Sequence, residues 1–202
     1  VSRWPIFGLE RHIVLKALFK IKTEGWLLDV GCGPGYLAAE MSQKIVNTKV
    51  IGLDINRPAS IIARHQWSSD SYRNLEFITG DAQNLPISDN SIDFVISSLS
   101  LHHFVDAPLA FRDIFRTLKP GGKLLIFDLK RNSPTYFYYA LKIGQALLAP
   151  KAIRRTNGAV GSFWAAYLPS EIETSLLKLP VENLRIESHF GWMLISCSKS
   201  GI

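Results

Sequence analysis

The run Leu27-Leu28-Asp29-Val30-Gly31-Cys32-Gly33-Pro34-Gly35 most constrains what this chain can fold into. A short apolar stretch from Trp26 to Val30 gives way to three glycines, and a helix-like segment follows from Tyr36 to Val46. This reads as a buried strand, a tight turn and a helix. Glycine permits positive φ and lets a ligand press against the backbone. The helix behind the turn offers unpaired N–H groups and the positive end of its dipole. Such a turn predicts a nucleotide-type ligand at the carboxyl edge of a sheet.

Beyond residue 26 strand-like and helix-like runs alternate, the pattern of a parallel sheet with helices on both faces. Strands are predicted at Lys49–Asp54, Leu75–Thr79, Ile92–Ser97 and Lys123–Asp128, with helices from Pro58 to about Trp67 and over Ala107–Leu118. Lys119-Pro120-Gly121-Gly122 is expected to stop the last of these in a turn. Phe7–Ile21 reads as an amphipathic helix ahead of the sheet. After residue 133 the rhythm breaks into an aromatic and basic stretch with a helix at Thr135–Leu148. Ser170, with Glu173 three residues on, predicts a capping box and a short helix. Leu184–His189 and Trp192–Ser198 read as two strands joined at Gly191, a hairpin that adds one antiparallel strand.

The identity of the ligand turns on three acids. Gly33-Pro34-Gly35-Tyr36-Leu37-Ala38 satisfies a relaxed dinucleotide fingerprint. Asp29 argues the other way: a carboxylate aimed into this cleft repels a pyrophosphate and suits a cationic amino group. Asp54, at the end of the second strand, stands where an acid accepts from ribose hydroxyls. Asp81, in Gly80-Asp81-Ala82 after the third strand, is placed to accept from an adenine amine. Together they outline a nucleoside without phosphates.

These motifs, with Leu118-Lys119-Pro120-Gly121-Gly122 and Ser98-Leu99-Ser100-Leu101-His102-His103-Phe104, resemble the class I S-adenosylmethionine-dependent methyltransferases. The resemblance spans about residues 25 to 130 and is nearest to the ubiquinone/menaquinone C-methyltransferases and related small-molecule enzymes. It implies an α/β, doubly wound, Rossmann-like sheet of seven strands, mostly parallel with the last antiparallel and helices on both faces. It implies S-adenosylmethionine as cofactor and S-adenosylhomocysteine as product. The expected cofactor-binding residues are Asp29, Gly31, Cys32, Gly33, Gly35, Asp54, Ile55, Asp81, Ala82 and Ser98. One domain over residues 1–202 is expected, with residues 133–167 covering the acceptor.

Other residues carry two readings each. His102 and His103 follow the fourth strand, where one can act as general base or orient the acceptor, or be structural. Cys32 reads as a small side chain filling the loop rather than a reactive thiol. Leu53 and Ile55 either touch adenine or belong to the core. Trp164, Tyr167 and His189 read as core, with an aromatic acceptor pocket as the alternative. Lys142, Lys151, Arg154 and Arg155 accompany the apolar run from Tyr136. That segment is either a helix with a solvated charged face, the favoured reading, or a basic amphipathic lid touching a membrane or a lipophilic substrate.

The composition and the missing motifs limit the function classes. The net charge of +6 allows an anionic partner but requires none. No metal-ligand cluster is read, so no metal is expected. Base methylation in DNA is not expected, because Ser97-Ser98-Leu99-Ser100 stands where a [DN]-P-P-[YF] motif would. An RNA methyltransferase and a non-catalytic binding protein of the same fold are the rivals. An NAD-dependent oxidoreductase is disfavoured by Asp29. Two cysteines without a disulfide framework, no secretory signal and no span of membrane length point to a cytoplasmic protein. The expected partner is a small-molecule methyl acceptor.

Overall fold

A computed structural model describes residues 5–19, 25–148 and 158–201 of the 202. The elements in chain order are α1 (Pro5–Phe19), β1 (Gly25–Val30), α2 (Tyr36–Lys44), β2 (Thr48–Asp54), α3 (Arg57–Gln66), β3 (Leu75–Thr79) and β4 (Ile92–Ser98). They continue with α4 (Ala107–Thr117), β5 (Leu118–Leu129), α5 (Thr135–Leu148), α6 (Gly158–Ala165), α7 (Pro169–Leu176), β6 (Val181–Ser188) and β7 (Trp192–Lys199). The seven strands form one sheet in the order β3-β2-β1-β4-β5-β7-β6. β1 pairs in parallel with β2 and β4, whereas β7 runs antiparallel to both β5 and β6.

Alternation along the strands divides the core into two layers. In β1, Leu27 faces Val14, Leu18 and Met41 on the side of α1, α2 and α3. Its neighbour Leu28 faces Phe111, Ile114 and Ile195 on the side of α4 and α7. A strand covered on both faces is apolar almost throughout, which is why β1 reads as an unbroken greasy run. By the same parity Asp29 turns toward α1 and α2. The chain leaves β1 and β4 toward opposite faces, so their carboxyl ends diverge and open a crevice at this switch point.

Two local expectations are corrected. β5 begins at Leu118, and Lys119-Pro120-Gly121-Gly122 forms an irregular stretch of that strand rather than a turn before it. Leu118 pairs with Ile92 and Lys123 with Phe94, so the partner register slips across the Pro-Gly-Gly run. Lys119 Nζ holds both oxygens of Asp93 at 2.8 Å and ties that edge down. The helix expected to open at Ser170 begins at Pro169, whose fixed φ suits the first helical turn. Its reciprocal contact comes from Glu171, whose Oε2 accepts from Leu168 N at 2.7 Å, not from Glu173. Among the described residues no helix is long and apolar enough to cross a membrane.

Candidate functional site

The crevice at the strand ends holds two adjoining cavities. The larger, about 420 Å³, is lined by Gly31 and Gly33 after β1, Leu53 to Asn56 after β2, Gly80 to Gln83 after β3, and Leu99 to Val105 after β4 in part. The smaller, about 190 Å³, is lined by Glu10 and Arg11 of α1, Asp29, Cys32, Tyr36, Ser98 and neighbouring residues. Gly31, Gly33 and Leu99 line both.

The glycine turn is held open by its backbone. Gly31, Gly33 and Gly35 have φ of 78°, 52° and 79°. Gly31 N and Cys32 N both donate to Leu53 O, at 2.7 and 3.0 Å. A Cβ on Gly35 would lie 2.4 Å from the Phe77 ring, so this glycine secures packing and lines neither cavity. Leu99 also has positive φ, 50°, with its N–H bound to Phe127 O at 2.8 Å. A non-glycine residue held this way between both cavities is strained backbone at the site.

The acids differ in their surroundings. Asp29 is 1% exposed and its Oδ2 has no hydrogen-bond partner among the described residues. Burial, with Glu10 and Asp54 nearby, pushes its pKa up to about 8. Glu10 is itself buried; burial raises its pKa, and Ser98 Oγ donates to its Oε1. Asp54 accepts from Gly33 N through Oδ2 and from Asn56 N through Oδ1, both at 2.7 Å. Asp81 Oδ1 accepts from Gln83 N at 2.9 Å. Cys32 is partly buried, and desolvation beside Asp29 and Asp54 drives its thiol pKa far up, which leaves it protonated.

The two histidines have separate environments. His102 is buried, its Nδ1 lies 2.7 Å from Asp128 Oδ1, and its N–H donates to Asp128 Oδ2 at 3.0 Å. It lines neither cavity. His103 stands in the wall of the larger cavity. Partial burial and the neighbouring His102 lower its pKa, which favours the neutral ring at neutral pH.

The structure thus gathers Gly31, Gly33, Asp54, Ile55, Asp81, Ala82 and His103 around one cavity and Asp29, Gly31, Cys32, Gly33 and Ser98 around the other. Tyr167 donates through its hydroxyl to Phe104 O at 3.2 Å. His189 stacks on Trp192 at 3.8 Å between ring centroids. Trp164 is 60% exposed and so is not core. Lys151, Arg154 and Arg155 lie outside the described residues. Sequence reasoning missed Glu10, Leu99, Asn56 and Asp128; an acid inside the apolar pattern of the first helix was the one available signal for Glu10. Among the described residues no cluster could hold a metal ion.

The donor set fits S-adenosylmethionine. A buried carboxylate oxygen without a partner among the described residues calls for a cation, the glycine turn brings backbone close to a ligand, and Asp54 and Asp81 supply acceptors, while Arg11, the basic side chain lining the smaller cavity, pairs with Glu40 at 3.5 Å. Residues 28–126 match the family described as a methyltransferase domain. The chain is 34% identical over 116 residues to the chloroplastic 2-phytyl-1,4-beta-naphthoquinone methyltransferase of Arabidopsis thaliana, covering 55% of this chain and 44% of that protein. It is 32% identical over 154 residues to the demethylmenaquinone methyltransferase of Chlorobaculum tepidum, covering 75% of this chain and 60% of the relative. The chain therefore spans about half the length of the curated relatives it matches. Among solved structures, a SAM-dependent methyltransferase from Aquifex aeolicus aligns at TM-score 0.71 and 18% identity, over 94% of this chain and 89% of the other. Phosphoethanolamine N-methyltransferase 2 of Haemonchus contortus, in complex with S-adenosyl-L-methionine, aligns at TM-score 0.74 and 17% identity, over 95% and 52%. At those identities the structural likeness establishes the fold.

Proposed function

The chain belongs, through residues 28–126, to the S-adenosylmethionine-dependent methyltransferases, and from that premise we propose that it transfers a methyl group to a small, lipophilic, quinone-type acceptor. The observation that carries the cofactor assignment is Asp29: a buried acid with an oxygen unpartnered among the described residues is costly unless a ligand completes it. The acceptor class follows the quinone methyltransferase relatives and the apolar wall formed by Leu99, Phe104 and Val105.

In this reading the smaller cavity takes the methionine end and the larger takes the adenosine and the acceptor. Asp29 holds the cationic amino group, with Glu10 adding negative potential from α1. Asp54 accepts from the ribose hydroxyls while keeping its grip on the glycine turn. Asp81 and Ala82 meet the base, and Ile55 covers it. S-adenosylmethionine, when bound, supplies an electrophilic methyl on a sulfonium leaving group. The chain contributes orientation and exclusion of water, each worth several kcal/mol in such sites. His103, neutral and at the cavity wall, accepts the proton of an acceptor that must ionise. His102 is a positioning residue, fixed by Asp128 beneath the turn that carries His103.

Calorimetry with S-adenosylmethionine, S-adenosylhomocysteine and NAD tests the reading. Micromolar binding of both adenosyl ligands with NAD silent is the expected result. Binding of NAD alone, or of none of the three, would overturn it.

A further inference from the structure

α5 is predominantly apolar, and among its described side chains one face is covered while the opposite face is exposed. Phe137 and Tyr138 turn inward and meet Phe163 at ring-centroid distances of 6.5 and 5.8 Å, beside the buried Leu141. Tyr136, Tyr139 and Ile143 share the opposite face at helical spacing and are 63%, 56% and 58% exposed. Phe190 of the β6–β7 turn lies 4.7 Å from Tyr136, and Trp164 of α6 lies 5.6 Å from Tyr138, itself packed on Tyr139. The result is one continuous aromatic surface. An apolar helix face is normally buried, and an exposed patch of this kind marks a contact surface. Of the basic residues expected on a charged face, Lys142 is exposed at the border of this stripe, and Lys151, Arg154 and Arg155 lie outside the described residues.

Charge identifies what the surface meets. From Leu129 to Ser170 the sequence holds six basic residues, Lys130, Arg131, Lys142, Lys151, Arg154 and Arg155, and no acidic one. The rest of the chain holds 17 of each sign, so the whole net charge of +6 belongs to this stretch. Tyrosine and tryptophan favour the headgroup level of a bilayer, and clustered lysine and arginine are drawn to anionic lipid. Aromatic stripe and basic excess on one segment form the pattern of a helix that lies in a membrane interface.

We propose that this face docks on an anionic lipid bilayer surface, with Tyr136, Tyr139, Ile143, Trp164 and Phe190 entering the headgroup region and Lys142 meeting lipid phosphates. α6 packs against the turn Leu101–His103, whose His103 lines the larger cavity. Docking therefore holds the acceptor side of the cavity close to the lipid, where a lipophilic acceptor is concentrated. The docking itself stands apart from the methyl-transfer reading.

Co-sedimentation with phosphatidylglycerol–phosphatidylcholine vesicles tests it. The protein should pellet with the mixed vesicles and be released by high salt or by pure phosphatidylcholine. Tyr139→Ser/Ile143→Ser/Trp164→Ser should weaken partitioning about tenfold or more, and Lys142→Glu roughly fivefold. S-adenosylmethionine binding measured without vesicles should not change in any variant, which also reports that each is folded. Should the triple variant not fold, Lys142→Glu and the salt dependence decide. Wild-type protein that stays in the supernatant overturns the proposal. So does a variant set that pellets like wild type, or light scattering that shows a dimer dissolved by the triple substitution, since the occupant would then be a second copy.

Discussion

Asp29 pays for its position with a raised pKa, and that gives the cofactor site a pH signature. Its carboxyl titrates near pH 8, because burial and the charges of Glu10 and Asp54 disfavour ionisation. A cationic ligand must pull the proton off. Binding of S-adenosylmethionine is therefore expected to tighten as pH rises from 6 toward 8 and to release a proton at the lower end, measurable by calorimetry in buffers of different ionisation enthalpy. Asp29→Asn should abolish that release and weaken binding by roughly 10- to 100-fold, the value of a charged hydrogen bond. His103→Gln should lower kcat about 100-fold while leaving cofactor affinity unchanged, with loss of the acid limb of the rate profile. An unaltered kcat would remove His103 from proton transfer. Asp29, Asp54 and Asp81 were legible because each ends a strand, and strand ends converge in a parallel sheet. Glu10, Leu99 and Asp128 were not, because their roles arise from contacts 88, 28 and 26 residues away in sequence, which no local pattern encodes.

At the scale of elements, the loop between β3 and β4 shows how a distant helix shapes the site. Arg116 of α4 donates from Nη1 to Ile87 O at 2.8 Å and from Nη2 to Leu85 O at 3.0 Å, and it pairs with Asp113 and Asp89. Asp113 in turn accepts from Leu85 N. This clamp lies just behind Asp81 and Ala82. Arg116→Ala should cost about 1–3 kcal/mol through the unsatisfied carbonyls, and hydrogen exchange should rise over residues 81–89 with weaker cofactor binding. Unchanged exchange there would show that the loop holds itself. Most element positions were readable from periodicity: β3 and α5 have the predicted bounds, the other predicted elements shift by a few residues, and α6 had no predicted counterpart. The misread start of β5 came from proline and glycine taken as punctuation. Pro120-Gly121-Gly122 continues a strand because Leu118 on one side and Lys123 on the other both find partners in β4.

For the molecule as a whole, the two buried acids set how stability follows pH. Asp29 and Glu10 have folded-state pKa values above their ordinary ones, so the native state holds protons that the unfolded chain has released. The contribution of Asp29 is complete below about pH 4 and is lost as pH rises toward 8, and that of Glu10 is lost in the same direction. Asp113 works oppositely: burial raises its pKa, but Arg116 and Leu85 N–H outweigh that and leave it low, so its stabilisation is present at neutral pH and lost in acid. The melting temperature of wild type should thus fall between pH 5 and 8 relative to Asp29→Asn. Parallel profiles for the two proteins would show that Asp29 is already ionised at pH 5.

The strand order has a consequence for how the chain assembles as it is made. β7 lies between β5 and β6, though both partners precede it in the chain. While synthesis proceeds, β6 has no strand to pair with, and the outer edge of β5 stays bare. An uncovered edge is a template for pairing with other chains. Residues Trp192–Lys199 act as a keystone slid in after both of its neighbours, and a growing chain is open to aggregation until they emerge.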